Sequence, residues 1–363
     1  MARYNVTLIP GDGIGPEITD AMRRVVEATG VEIEWDIQAA GAAVIEEEGT
    51  PLPRRVIDSI KRHKVAIKGP VTTPVGTGFR SINVALRKEL DLFINQRPSL
   101  SIPHSGARYD DVDLVIFREN TEDLYAGIEF EMGSKGATEL REMLRSLGAG
   151  KIAEDAGISI KPISVHGSRR ILEAAFEYAV ANGRKKVTAV HKANIMKHSD
   201  GLFLSIARKV AAEYADKGIE FDDMIVDATC MNLVIDPSRF DVIVTTNLYG
   251  DIISDLCAGL VGGLGMAPGA NIGSEEAIFE AVHGSAPDIA GQGIANPTAI
   301  FLTSAMMLTH LGEREAAARI TSAVTAVISE GKTITGDLKK IRTGSVSGAA
   351  TTDEFTDAVI ARL

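Results

Sequence analysis

The sequence predicts an α/β protein built on a largely parallel sheet. Two observations lead there. Strand-like and helix-like segments alternate along most of the chain. Hydrophobic residues form 45% of the 363 residues but aromatics only 5%, so the cores must be packed with Ala, Gly, Val and Ile. That length is enough for two domains or one large divided one.

The first apolar run, Tyr4–Ile9, reads as a strand, and 16–29 as a helix with Pro16 near its first position. Residues 31–37 read as a strand, 53–62 as a helix and 65–68 as a short buried strand. A loop rich in Gly, Pro and Thr follows, from Gly69 to Gly78, then a helix from about Ile82 to Leu90. Asp91–Gln96 is strand-like, and 113–118, 186–191, 221–227 and 241–245 read as further strands. Helical periodicity predicts helices over 168–181, 199–216, 248–261, 297–311 and 313–329. The stretch 130–157 breaks the rhythm and reads as an appendage carrying an amphipathic segment, 139–147. No internal repeat or low-complexity tract is visible.

The formal net charge of −11 argues against non-specific nucleic-acid or membrane binding, although a local arginine cluster can still receive an anion. The two cysteines, Cys230 and Cys257, form no C-x-x-C pair and read as buried reduced thiols. With no basic-then-apolar leader and no apolar run of about 18 residues, the expectation is a cytoplasmic protein without a membrane span.

The stretch from Asn247 to Asn271 carries the strongest chemical signal. Asp251 and Asp255 lie four apart at the start of an apolar helical run, so both carboxylates share one helix face. Acidic residues also suit any helix N-terminus, yet such a pair equally offers hard oxygen ligands for Mg2+ or Mn2+. Gly11-Asp12-Gly13-Ile14-Gly15-Pro16 follows a strand and opens a helix. Its spacing is not G-x-G-x-x-G, so a Rossmann phosphate cradle is not implied, even with Glu34 some distance on; a tight glycine turn suffices. Arg87, Arg97 and Arg118 stand on separate elements. They could converge on a polycarboxylate or form separate ion pairs with this acidic protein's own carboxylates. Ser81 suits a helix N-cap or a carboxylate contact beside Asn83. Tyr125 reads as a buried phenol or a general acid, and Lys192, Asn194 and Asp227 as strand-end residues, where catalytic groups of α/β folds gather. His283–Pro297 is a glycine-rich loop ending in Asn296 as N-cap and Pro297 at the first helical position. It suits an adenosine, with Asp288 accepting from ribose and repelling a 2′-phosphate.

Together these residues resemble the β-decarboxylating dehydrogenases, the isocitrate and isopropylmalate dehydrogenase family. The run Asn247–Asn271 resembles the family's long motif. Pro10–Glu17, Lys68–Pro74, Arg118–Tyr125, Val190–Lys197 and His283–Pro297 match in order. The resemblance implies the family's own fold rather than the Rossmann fold. A discontinuous large domain would take 1–92 and 262–363, a small domain 93–124 and 164–261, and a dimer arm 125–163. It implies Ser81, Asn83, Arg87, Arg97 and Arg118 as substrate-carboxylate binders, Tyr125 as catalytic acid, and Lys192 and Asn194 as residues lent by a second subunit. Asp227 from that subunit would join Asp251 and Asp255 on Mg2+ or Mn2+. His283, Gly284, Ala286, Asp288, Ile289 and Asn296 would hold the cofactor, with Thr73 and Asn83 beside it. Asp288-Ile289 stands where NADP-preferring members resemble Lys-Tyr, which points to NAD. The polar pair Ser81 and Asn83 resembles isocitrate enzymes. The implied activity is therefore an NAD-dependent isocitrate dehydrogenase working as a homodimer with shared sites. The alternatives are a homoisocitrate dehydrogenase, a 3-isopropylmalate dehydrogenase and a non-catalytic regulatory subunit.

Overall fold

The computed structural model describes residues 3–72 and 81–363. Strand β1 (Arg3–Ile9) leads through a glycine turn into α1 (Gly15–Ala28), and β2 (Glu32–Ile37) returns beside β1. A short α2 (Ile45–Glu48) and α3 (Arg54–His63) precede β3 (Val65–Lys68), then α4 (Ile82–Glu89) and β4 (Ile94–Leu100). After β5 (Asp113–Glu119) comes the appendage: β6 (Glu129–Phe130), α5 (Lys135–Ser146) and β7 (Ile158–Ser159), with β6 and β7 forming a separate ribbon. The chain continues through α6 (Val165–Ala181), β8 (Lys186–His191), α7 (Asp200–Glu213), β9 (Glu220–Ile225), α8 (Val226–Ile235), β10 (Val242–Thr245) and α9 (Asn247–Leu260). A hairpin, β11 (Pro268–Ile272) and β12 (Ala277–Ala281), precedes α10 (Thr298–His310), α11 (Arg314–Glu330), α12 (Gly336–Thr343) and α13 (Thr352–Ile360).

Ten strands form one sheet in the order β2-β1-β3-β12-β11-β4-β5-β10-β8-β9 among the described residues. Its two wings are parallel, as expected. Its centre is not: β12–β11, β11–β4 and β4–β5 pair antiparallel, so the wings run in opposite directions. The sheet is therefore mixed, though most of its pairings are parallel as expected.

Both faces of each wing are covered, which is why the strands read as continuous apolar runs. In the β5–β9 wing, Val115, Phe117, Val187, Ala189, Val242 and Val244 pack with Ile171, Phe176 and Phe203 of α6 and α7. The alternate residues Leu114, Ile116, Val190 and Ile243 pack with Leu233 and Ile253 of α8 and α9. In the other wing, Val6 and Leu8 face Ile18, Phe301 and Phe355, while Ile9 and Ala66 face Ile60 and Leu86.

Several boundaries differ from the sequence reading, three of them at candidate site residues. Residues 221–227 are not one strand: β9 ends at Ile225, and Asp227 lies in the first turn of α8. Arg97 is inside β4 rather than beyond it, with Pro98 also in the strand. Helix α10 starts at Thr298, so Pro297 holds the cap position while Asn296 Oδ1 accepts from the Thr298 amide at 3.0 Å. Cys257 is buried but Cys230 only partly so.

Candidate active site

The site forms at the junction of the wings, where β4, β5, α4 and α9 meet. Arg118, at 1% exposure, donates from Nε to Asn247 Oδ1 at 2.9 Å and from Nη1 to Asp251 Oδ1. Its guanidinium lies over the Tyr125 ring at 4.8 Å. Tyr125 donates its hydroxyl to Asp251 Oδ2 at 2.6 Å. Arg97 reaches the same helix face, donating to Ser254 Oγ at 2.6 Å and to Asp255 Oδ1 at 3.3 Å, with Asp251 3.8 Å away. Arg87 pairs more loosely with Glu280, at 3.4 Å. The three arginines thus converge, each also with a carboxylate of the protein, so neither of the two readings of the sequence excludes the other.

The electrostatics show how close they stand. Burial, and then Arg87 and Arg97, pull the Arg118 guanidinium down from its ordinary value. Burial opposes the charge on Asp251, but Arg118, Tyr125 and Arg97 together hold it below the usual carboxylate range. Burial, and then its bond to Asp251, push the Tyr125 phenol up, so it stays protonated and able to donate at neutral pH. Burial also raises Asp255, beside the like charge of Asp251. Asn83 Oδ1, Arg87 Nε, Arg97 Nε and Arg118 Nη2 are buried without a partner among the described residues. Such atoms cost free energy unless a ligand satisfies them.

Two residues make this packing possible. Gly250 of α9 lies against the Arg118 stem: a Cβ there would stand 2.5 Å from Arg118 Cγ. Gly250→Ala is expected to displace Arg118 and lower kcat/KM about a hundredfold, because small misplacements near the chemistry are costly. Steady-state rates with a melting curve check this; unchanged kinetics would remove Arg118 from the site. Glu280, missed in the sequence reading, holds Lys68 at 2.5 Å and accepts from Asn271 Nδ2 at 2.7 Å. Despite full burial, Lys68 and Arg87 hold its carboxyl far below the usual range. Its contribution to stability is full above the ordinary glutamate range and is lost as pH falls through its lowered folded value. Glu280→Gln, which strands two buried cations, is expected to cost about 3–5 kcal/mol at neutral pH. The deficit in denaturant unfolding should shrink at about pH 3.5; a pH-independent deficit would contradict the assignment.

Ser81 occupies the N-cap position of α4, yet its side chain makes no capping hydrogen bond. Lys192 and Asp227 form an ion pair with each other, and that bond to Lys192 holds the exposed Asp227 carboxyl low. Asn194 is exposed. No cluster of three acidic, His or Cys ligands occurs among the described residues of one chain. Asp251 and Asp255 nevertheless suit a divalent cation: two carboxylates on one helix face, one of them raised by burial and, to a lesser degree, by the other's charge.

Beside the arginines, a cavity of about 160 Å³ is lined by Asn83, Arg87, Arg97, Lys68 and Glu280 on one side and by His283 and Gly284 on the other. His283 and Gly284 also line a larger, mainly apolar pocket of about 720 Å³ with Ala286, Ile289, Asn296, Ile14 and Asp337. Its size suits a nucleoside, and His283 Nε2 is buried there without a partner among the described residues. The glycine turn builds its wall. A Cβ on Gly13, at φ +60°, would stand 2.0 Å from Ser285 O, and the Ile14 amide donates to that oxygen at 2.9 Å. Asp288, by contrast, is exposed and does not line the pocket; Asp337, bonded by Asn296 Nδ2 at 2.8 Å, does. Glu34 pairs with Arg3 on the surface. Thr73 lies outside the described residues. A surface cavity of about 870 Å³ beside β2 is lined chiefly by charged side chains such as the paired Arg3 and Glu34, and holds none of the three arginines, Tyr125, Asp251, Asp255 or His283.

The model of the isocitrate/isopropylmalate dehydrogenase family matches residues 5–359. The chain is 47% identical over 359 residues to a mitochondrial NAD isocitrate dehydrogenase regulatory subunit of Dictyostelium discoideum, covering 99% of this chain and 91% of that one. It is 47% identical over 354 residues to catalytic subunit 5, mitochondrial, of the Arabidopsis thaliana NAD isocitrate dehydrogenase, covering 97% and 87%. A chloroplastic 3-isopropylmalate dehydrogenase of Solanum tuberosum is 47% identical over 327 residues, covering 90% and 85%. The crystal structure of isocitrate dehydrogenase from Methylococcus capsulatus superposes with a TM-score of 0.89 at 52% identity, covering 99% of both chains. These names correct the expected cytoplasmic location, since both NAD isocitrate dehydrogenase relatives are called mitochondrial. That expectation rested on seeing no leader and no membrane span, and neither observation fixes a compartment. Sequence, sheet order and site geometry agree on one conclusion: the chain belongs to the isocitrate/isopropylmalate dehydrogenase family.

Proposed function

We propose that the protein catalyses NAD-dependent oxidative decarboxylation of isocitrate to 2-oxoglutarate, with Mg2+ or Mn2+ as resident cation. The observation that carries this reading is the convergence of Arg97 and Arg118 on the face of α9 that bears Asp251 and Asp255, with Arg87 close enough to bias both arginines, and each of the three carrying a buried unpartnered nitrogen. Three cations suit a tricarboxylate.

When bound, NAD would supply the hydride acceptor and the cation, on Asp251 and Asp255, Lewis acidity at the substrate hydroxyl. The arginines fix the substrate carboxylates and aim the reacting C–H bond at the cavity by His283. Lys192, with Asp227, takes the hydroxyl proton. After loss of CO2, Tyr125 Oη delivers a proton to the enolate carbon, a role its raised pKa supports.

Lys192 and Asp227 serve the neighbouring subunit in this reading. Their surroundings favour it: Met231 and Ile235 of α8 are 55% and 67% exposed, and Ile195 and Ile252 are exposed too. Exposed apolar side chains of that size, two of them four apart on α8, suit a second copy of the chain. The domain division, 1–92 with 262–363, 93–124 with 164–261 and an arm at 125–163, is likewise proposed, supported by the largely separate cores of the two wings.

The potato relative favours 3-isopropylmalate, but the polar Ser81 and Asn83 suit a carboxylate better than an isopropyl group. Homoisocitrate, one methylene longer, differs by only about 1–3 kcal/mol in such a pocket. The Dictyostelium relative favours a regulatory role; the complete set Arg87, Tyr125, Lys192, Asp227, Asp251 and Asp255 argues against it. Initial rates with isocitrate, homoisocitrate, 3-isopropylmalate, tartrate and malate test the reading. Isocitrate should give the highest kcat/KM, and a clear preference for another acid would sink it. NAD should be preferred over NADP by at least about tenfold, because Asp337 lines the pocket and Asp288 adjoins it. Equal use of both cofactors would contradict that assignment.

A further inference from the structure

Lys161 lies just beyond the β6–β7 ribbon, and none of the roles above uses it. Its Nζ donates to Asp200 Oδ1 at 2.7 Å, lies 3.7 Å from Asp123 Oδ1 and sits over the Tyr249 ring at 4.4 Å. Asp123 and Asp200 are both 0% exposed, although they belong to distant segments. Each carboxylate uses its other oxygen on the backbone of the proposed machinery. Asp200 Oδ2 accepts from the Lys192 amide at 2.7 Å. Asp123 Oδ2 accepts from the Leu248 amide at 2.9 Å, in the first turn of the helix that carries Asp251 and Asp255. Asp123 also stands two residues before Tyr125 and holds a left-handed backbone, φ +65°, unusual for a residue with a side chain. Its amide donates to Pro162 O at 3.0 Å, next to Lys161 itself.

We propose that Lys161 is a positioning residue: a single ammonium that fastens the Tyr125 segment and the Lys192 segment of one chain to each other. Without it, two fully buried carboxylates lose the cation they share, and the acceptors that orient both backbone segments are no longer held in place. The inference rests on the shared-site reading and extends it. Tyr125 serves its own chain's site and Lys192 the neighbour's, so one lysine ties together parts of two active sites. A substitution in one protomer therefore damages both sites of a dimer.

The test uses dimers carrying two different affinity tags. The Lys161→Met homodimer should lose about a hundredfold in kcat while KM for isocitrate moves within about twofold, because Lys161 touches no substrate. Lys161→Arg, which keeps the charge, should recover most of kcat. A wild-type/Tyr125→Phe dimer keeps one intact site and about half the wild-type rate. A wild-type/Lys161→Met dimer should fall far below half. If it keeps half, with one site fully active, the two-site role is overturned. If Lys161→Met does not fold, Lys161→Gln is read in the same way; failure of both to fold makes the lysine merely structural and overturns the proposal. Should Tyr125→Phe and Lys192→Met chains fail to complement each other, the shared-site reading falls instead. The kcat loss at constant KM and its recovery by arginine then still decide whether Lys161 positions the machinery.

Discussion

Mixed dimers of Tyr125→Phe and Lys192→Met chains are expected to regain activity that neither parent possesses. Each parent should lose about 10²–10⁴-fold in kcat, the range for removing a positioned proton donor or acceptor. Tyr125 is tied to its own chain's Asp251 at 2.6 Å and lies beneath Arg118, so its lesion stays in its own site. Lys192 pairs with Asp227, near the exposed Ile195 and Met231. If that face meets a second copy of the chain, a mixed dimer has one site with both lesions and one with neither. The regained rate should approach that of one intact site. Exchange is verified by native mass spectrometry; exchange without activity would place both residues in the same site.

Asp251→Asn is expected to lose about a thousandfold in kcat/KM. This carboxylate accepts from Arg118 and Tyr125 and lies 3.8 Å from Arg97. Its removal leaves the fully buried Arg118 without its carboxylate, which costs about 3–5 kcal/mol, or more than two powers of ten. Because Arg118 and its neighbours hold Asp251 low, this carboxylate keeps its charge to lower pH than an ordinary one. Mn2+ titration followed by electron paramagnetic resonance gives a second readout: affinity in the presence of isocitrate should collapse with the variant. Wild-type Mn2+ affinity would remove Asp251 from the cation site.

Much of the sheet was legible because its wings are buried on both faces. Val65–Lys68 and Lys186–His191 are short apolar runs, and both strands fall at the expected residues. The centre was not legible. Strand β11, Pro268–Ile272, contains Pro, Gly and Asn and carries no strand signature, yet it is almost wholly buried between β12 and β4. Asp227 was misplaced because Ile225 and Val226 continue the apolar pattern of β9 across the start of α8. In the site, the arginines and the Asp251–Asp255 pair announce themselves by type and spacing. Lys68 and Glu280 do not, because their ion pair joins residues remote in the chain. Asp337 was missed for the same reason, reaching the pocket from a helix late in the sequence.

The opposed wings also dictate an order of events during synthesis. The strands β5, β8, β9 and β10 all lie between residues 113 and 245 and are neighbours in the sheet, so the strands of that wing are complete once residue 245 has emerged. The amino-terminal wing has no such independence. The inner edge of β3 is covered only by β12, which pairs Val65 with Ala277 and Lys68 with Glu280. Until then a short apolar edge stands open on the nascent chain, a template for unwanted strand addition. The amino-terminal residues, first to be made, are therefore among the last to be secured, and a ribosome stalled before residue 277 would leave that edge to a chaperone.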